Sequence, residues 1–422
     1  MRSAWSRAAA VALVLLSSAC IATPSSRPVR RPTTTTSVVL PSVTAPNVWS
    51  TPAAAIATSP RTDEWADRYF SWADAYDQDL GVEFGLDEPS NDYSLPVYSA
   101  ADATTVARVF RRPAESWYGR FDIEVGATIP WNPAWKPADG TDGFLLIVDP
   151  ATGQEWDLWA LSTPSFSPEY LRQDECIYQQ ESIVGGYDPS VDLCAAAVMV
   201  VRSPDGQVAD IRTYRGNYPP AGGGGLHNTV GLTTPEEVAA GVIPHALKFA
   251  VSSRLSMTGP ACPPDVTSPD DPRVGTTCGI SVAPAGKFES ARILSSPEEL
   301  ARMVPDGTRL VLDLTDAEIE AWLDGRGFTG ELRRTARTFA VALRDYGLIQ
   351  TSTTSGPATV QVSGGRNAET AEAWRRLGIV GSGSDLLAGL FTRERIRVLA
   401  PPTNHCDDGA SRLACWASNI SY

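Results

Sequence analysis

From about residue 90 to residue 260 the chain alternates apolar and polar positions with the period of strands. "GFLLIVDPATGQEWDLWAL" predicts a hairpin, with one strand from Phe144 to Asp149 and its return from Gln154 to Leu161. Between them Asp149-Pro150-Ala151-Thr152-Gly153 places Pro and Gly where tight turns use them. "AAAVMVVRSPDGQVADIRTYRG" repeats the arrangement around Ser203-Pro204-Asp205-Gly206, and "RFDIEVGATI" is a further alternating run. From Ile243 the same period puts Ile243, His245, Leu247, Phe249 and Val251 on one face.

Helical spacing enters later. Thr234-Pro235-Glu236-Glu237 has a capping threonine, proline at the first helical position and glutamate at the third, and Gly241 ends the short helix it starts. "DLTDAEIEAWLDG" carries the same signal in Thr315 and Glu318. "ELRRTARTFAVALRDYGL" sets Leu332, Ala336, Phe339, Leu343 and Tyr346 on one helical face, with Gly347 as its cap. "GTRLVLDL" and "ATVQVSG" return to strands. The fold expected is mainly β: an antiparallel β-sandwich, jelly-roll-like, with helical insertions in the C-terminal half. It runs over 63–422, and a boundary near 285 before a small α+β domain is the alternative.

The N-terminus changes where such a domain is expected. Arg2 and Arg7 precede the apolar run Ala8–Leu16, which is too short to span a bilayer, so 1–20 reads as a secretory signal. "SSAC" makes Cys20 a candidate lipid acceptor, and simple cleavage near Ala19 or Ala22 is the other outcome. The seven cysteines support lipidation, because removing Cys20 leaves six in three local pairs. These are Cys176–Cys194, Cys262–Cys278 and Cys406–Cys415, each closing a loop of roughly 10–20 residues worth about 2–4 kcal/mol. Residues 21–62, with "TPSSRPVRRPTTTTSVVLPSVTAP", read as a disordered stalk. A lipid anchor is thus the one membrane contact expected of a cell-envelope or secreted protein. The net charge of −14 argues against nucleic acid as a partner.

Candidate chemistry concentrates in "EWDLW". Glu155, Asp157 and Trp159 share a face at steps of about 6.5–7 Å. Two carboxylates beside an indole suit a sugar: the ring stacks and the acids accept hydroxyl hydrogen bonds. Paired carboxylates also carry out glycoside hydrolysis, retaining at about 5–5.5 Å and inverting at about 6.5–9.5 Å. The spelling resembles the E-x-D-x-x-E strand of jelly-roll β-glucanases but lacks the second glutamate, that family's acid/base. Trp131 and Trp135 in "PWNPAWKP" are further candidates for lining carbohydrate, or pack on the sandwich edge. His227 follows four glycines and is a candidate lid residue; His245 is either a hydrogen-bonded core histidine or a site residue at the mouth of the sheet. No metal site or cofactor is expected, since three scattered histidines lack ligand spacing. No G-x-S-x-G is present, and the "GGGG" run lacks the Lys and Ser of a phosphate loop.

"DGFLLIVDPATGQEWDLWA", the glycine-rich loop, "GLTTPEEVAAGVIPHALKF" and "ALRDYGLI" together cover roughly 140–350. They resemble a group of exported bacterial proteins with no assigned activity. Their shared pattern is an acidic entry to "VVD", an aromatic-acidic return strand and a "GL…EV..G.I.HAL" block. Phe144 and His227 depart from it, standing where a polar residue or histidine and a proline are common. The resemblance implies His245 as the better candidate of the two histidines. The expected function is an exported, envelope-associated protein that acts on or binds a polysaccharide or cell-wall glycan. In its hydrolytic form Glu155 and Asp157 do the acid/base work, with His245 as hydrogen-bond partner. The alternative is a non-catalytic lipoprotein or carbohydrate-binding module.

Overall fold

The computed structural model describes residues 48–75, 80–86, 93–112, 121–166, 176, 186–201, 226, 228–257, 260–263, 265–266, 268–285, 296–354, 358–404 and 420–421. These belong to one compact unit, Ser37–Tyr422. Cys20, most of the expected stalk, His227 and the Cys406–Cys415 pair lie outside the described residues.

In chain order, α1 is Thr62–Ala75, β1 Gly81–Glu83, β2 Val97–Ser99, β3 Thr105–Arg111 and β4 Thr128–Trp131. The predicted hairpin follows as β5, Leu145–Val148, and β6, Glu155–Trp159. Then come β7 Leu193–Ala195, β8 Ala197–Val201, α2 Pro235–Ala240, β9 Leu247–Ser252 and α3 Pro297–Leu300. The remainder is β10 Arg309–Leu312, α4 Asp316–Gly325, α5 Gly330–Asp345, β11 Leu348–Thr354, β12 Thr359–Gln361, α6 Ala368–Arg376 and β13 Ile396–Val398. A two-residue ladder joins Thr403–Asn404 to Ile420–Ser421.

Local signals form as their chemistry dictates. The β5–β6 hairpin pairs Val148 with Glu155 and Leu145 with Leu158. Its turn is held by Asp149, whose carboxylate accepts from Ala151 N–H at 2.9 Å and Thr152 Oγ1 at 2.7 Å. Capping boxes start α2 at Thr234/Glu237 and α4 at Thr315/Glu318. Gly347 leaves α5 at φ 78°, where a Cβ would stand 2.1 Å from the Leu310 carbonyl oxygen.

The sheets are mixed, which corrects the antiparallel jelly-roll expectation. The largest sheet runs β1-β12-β9-β11-β10-β13, with β1/β12 and β9/β11 parallel. A second runs β2-β5-β6-β8 and a third β4-β3-β7; each contains one parallel pair. Hairpin signals reveal only neighbouring antiparallel strands, whereas β9 and β11 meet across a crossover carrying α4 and α5. The core explains this choice. All six residues of β9 are buried, as a strand covered on both faces requires. Phe249 and Leu247 share one cluster with Phe339 and Leu343 of α5 and Trp65 and Tyr69 of α1.

Ordered chain also starts earlier than Asp63. Val48 and Trp49 are core residues, and buried Arg309 donates to the carbonyls of Val48 at 2.9 Å and Thr51 at 2.7 Å. Two disulfides, Cys176–Cys194 and Cys262–Cys278, match the expected local pairing and mark an oxidising, non-cytoplasmic compartment. Among the described residues no helix is long and apolar enough to cross a membrane.

Candidate functional site

Strand β6 does put Glu155 and Asp157 on one face, but that face is interior. Glu155 is 4% exposed and Asp157 is fully buried. They meet the loop that precedes α2 and the start of β9. Thr229 Oγ1 donates to Glu155 Oε2 at 2.5 Å, and Asn228 N–H donates to Asp157 Oδ2 at 3.3 Å. Beneath them Lys248, 1% exposed, donates to Asn228 Oδ1 at 3.1 Å and to the Asn228 carbonyl at 3.3 Å. The loop is fixed to the strand by Lys248 N–H, which donates to the Gly231 carbonyl at 3.0 Å.

Charge states follow from this packing. Burial pushes Glu155 well above the usual carboxylate range, and the charge of Asp157 pushes it further. Burial raises Asp157 as well, but it is drawn back by Glu155, Asn228 and the Lys248 ammonium. Burial depresses Lys248 to about 8, against the pull of Asp157 and Glu155. The packing therefore favours the protonated form of Glu155, while Asp157 and Lys248 attract one another as opposite charges. Glu155 Oε1, Asp157 Oδ1 and Asn228 Nδ2 are buried without a hydrogen-bond partner.

Asn228 also lines an open cleft of about 290 Å³. Its walls carry hydroxyls from Thr141, Ser253, Ser352, Thr353, Thr354 and Thr359, the amide of Gln361, and the acids Glu83 and Asp142. Tyr93 and Phe144 supply aromatic surface. Burial raises the Asp142 carboxyl, and the Trp159 indole N–H offsets part of this by donating to its Oδ1 at 3.2 Å. Glu155, Asp157 and Trp159 are thus not the lining itself. They stand behind two residues that are, Asn228 and Asp142.

The other expected site residues fall elsewhere. Trp131 and Trp135 are core residues, 2% and 5% exposed, with ring centroids 5.5 Å apart; Trp135 stacks on Tyr98 at 5.0 Å. They offer no platform to a sugar, because Trp131 ends β4 and both rings pack in one core cluster with residues of β3 and β5. His245 precedes β9 and bonds to Glu237 Oε1 at 3.1 Å and the Ala246 carbonyl at 2.8 Å. Both partners are acceptors. Burial would lower its pKa, but Glu237 and that carbonyl raise it overall, so His245 is a cationic clamp between α2 and β9. None of its bonds reaches the acid pair.

Asn228, Thr229, Lys248 and Asp142 escaped the sequence reading. One signal was present: Lys248 is among three lysines of the chain and stands inside the apolar "HALKFAV". A lysine in a strand buried on both faces requires a partner. Among the described residues no cluster of His, Cys, Asp and Glu is arranged to hold a metal ion. No protein-family model matches the chain, and neither a curated protein nor a solved structure matches it.

Proposed function

We propose that this is an exported protein of the cell envelope, anchored through Cys20, that binds a polysaccharide chain at the cleft bounded by Phe144, Asp142, Asn228 and Gln361. The observation that carries this reading is the make-up of the cleft wall. Residues with hydroxyl, amide and carboxyl groups line it together with two aromatic side chains, which is the chemistry that recognises a polyhydroxylated ring. The volume lies at the lower end of ordinary ligand sites, which run about 300–1,000 Å³, and suits a single sugar residue of an open chain. An exported domain with two disulfides meets such polymers in its own compartment.

Hydrolysis is the second reading, favoured by Glu155 being held protonated, as a general acid requires. Against it, the acids neighbour one another on one strand and Asn228 and Thr229 cover them, so they do not flank a bond.

One experiment addresses both. The purified protein is run through native gels containing xylan, laminarin or arabinogalactan, and is sedimented with insoluble peptidoglycan. Soluble products are followed by mass spectrometry. Retention by one of these glycans, weakened roughly tenfold in Phe144→Ala, is the outcome expected. Release of oligosaccharides that stops in Glu155→Gln and Asp157→Asn would establish the hydrolytic version. Free migration on every glycan, with no product, would sink the proposal.

A further inference from the structure

Lys248 and Asn228 present an amine and a primary carboxamide to one another, both buried behind the cleft wall. The amine nitrogen lies 3.1 Å from Asn228 Oδ1, and Asn228 Cγ is one carbonyl bond beyond. Asn228 is 2% exposed, and its Nδ2 is buried without a hydrogen-bond partner. Asp157 borders the same residue, accepting the Asn228 backbone N–H at 3.3 Å, and Glu155 stands two residues along the strand. A turn of the amide about its terminal torsion, which is broad for asparagine, leaves Cγ in place, swings Oδ1 aside and turns a face of the carbonyl carbon to the amine.

We propose that Lys248 Nζ and Asn228 Cγ become joined by an isopeptide bond, formed in the folded chain with Asp157 as proton acceptor. Lys248 passes one ammonium proton to the Asp157 carboxylate and becomes a free amine. The amine attacks Asn228 Cγ, a second amine proton moves to Nδ2, and the Cγ–Nδ2 bond breaks. One amide bond replaces another, one ammonia leaves, Asp157 retains the first proton as a neutral acid, and the third stays on the new amide nitrogen. No oxidant or cofactor enters.

Three features favour the step. Burial already brings the Lys248 ammonium down to about 8, within reach of the free amine near neutral pH. The reaction removes two buried opposite charges, whose desolvation is costly. Holding the groups in contact converts a slow bimolecular aminolysis into an intramolecular one, worth up to about 7–11 kcal/mol of barrier. Asn228 also faces the cleft, which gives ammonia an exit. The bond would close the chain around α2, and it stands independently of what the cleft binds.

Trypsin tests this on the unmodified protein. Between Arg215 and Lys248 there is no other lysine or arginine, so Asn228 and Lys248 fall in one peptide. The bond predicts a product spanning Gly216–Arg254, uncut after Lys248 and lighter by one ammonia. A glutamyl endoprotease acting at Glu236 and Glu237 should leave its two arms joined. Cleavage after Lys248 with full mass at Asn228 would overturn the proposal. So would an ammonia-light product whose arms separate, which is succinimide formation at Asn228. Loss of water with Lys248 joined to the Asp157 peptide would overturn the choice of Asn228. A folded Asp157→Asn variant should yield the uncrosslinked peptide; full crosslinking in it would overturn the role given to the carboxylate.

Discussion

Tyr69, Gln350, Asp306 and Ser256 form one buried polar cluster, and Glu155, Asp157, Asn228 and Lys248 form another. In the first, Tyr69 O–H donates to Gln350 Oε1 at 2.5 Å, and Gln350 Nε2 and Ser256 Oγ each donate to Asp306 Oδ1 at 2.6 Å. Every donor there has its acceptor, and the cluster ties α1 to β11 and to the turn before β10. The second leaves Glu155 Oε1, Asp157 Oδ1 and Asn228 Nδ2 without partners and places Asn228 in a cleft wall. Native interiors hold few such atoms, and each needs a cause. A satisfied cluster stabilises the fold; unsatisfied atoms beside a cleft mark a candidate site.

That contrast breaks first at Asp306. Asp306→Ala strands two buried donors and is expected to cost about 3–5 kcal/mol in urea unfolding. A loss below about 1 kcal/mol would erase the distinction. Glu155→Gln sharpens it with the opposite sign. The folded pKa of Glu155 lies above its ordinary 4.5, so its contribution is fully present below 4.5 and is lost as pH rises towards the folded value. The neutral amide escapes this loss. The variant should match the wild type near pH 4 and exceed it by about 1–3 kcal/mol near pH 7.5, measured by unfolding at both pH values.

The smallest effect belongs to the clamp between α2 and β9. His245 has its pKa raised by Glu237, so that stability is present below 6.5 and lost as pH rises through the folded value. Glu237→Gln should cost about 1 kcal/mol at pH 5.5, and the part owed to His245 should fade at alkaline pH. A constant difference across that range would place the stabilisation in the capping box, where Glu237 also accepts from Thr234 N–H at 2.9 Å.

The two clusters also differ in how far sequence could reveal them. Features set by neighbours in the chain were legible: the Asp149 turn, the Thr234 and Thr315 caps, the α5 face and the two disulfides. The shared face of Glu155 and Asp157 was legible too, from period two alone. Which side that face meets was not, because the loop bearing Asn228 and Thr229 lies more than 70 residues away, a separation of 71 for the Asn228 bond. The same distance effect hid the parallel pairing of β9 with β11 and the burial of Trp131 and Trp135. Helix α1 was missed because no cap or long apolar stripe marks "TDEWADRYFSWADA"; packing of Trp65 and Tyr69 into the core secures it instead.

The cleft itself is tested most directly by amide hydrogen exchange of the purified protein, with and without the glycan that retains it. The account predicts slower exchange confined to residues 141–144, Ser352–Thr354 and Thr359–Gln361, with the Tyr69–Asp306 region unchanged. Protection confined to any other surface, or none at saturating glycan, would contradict it.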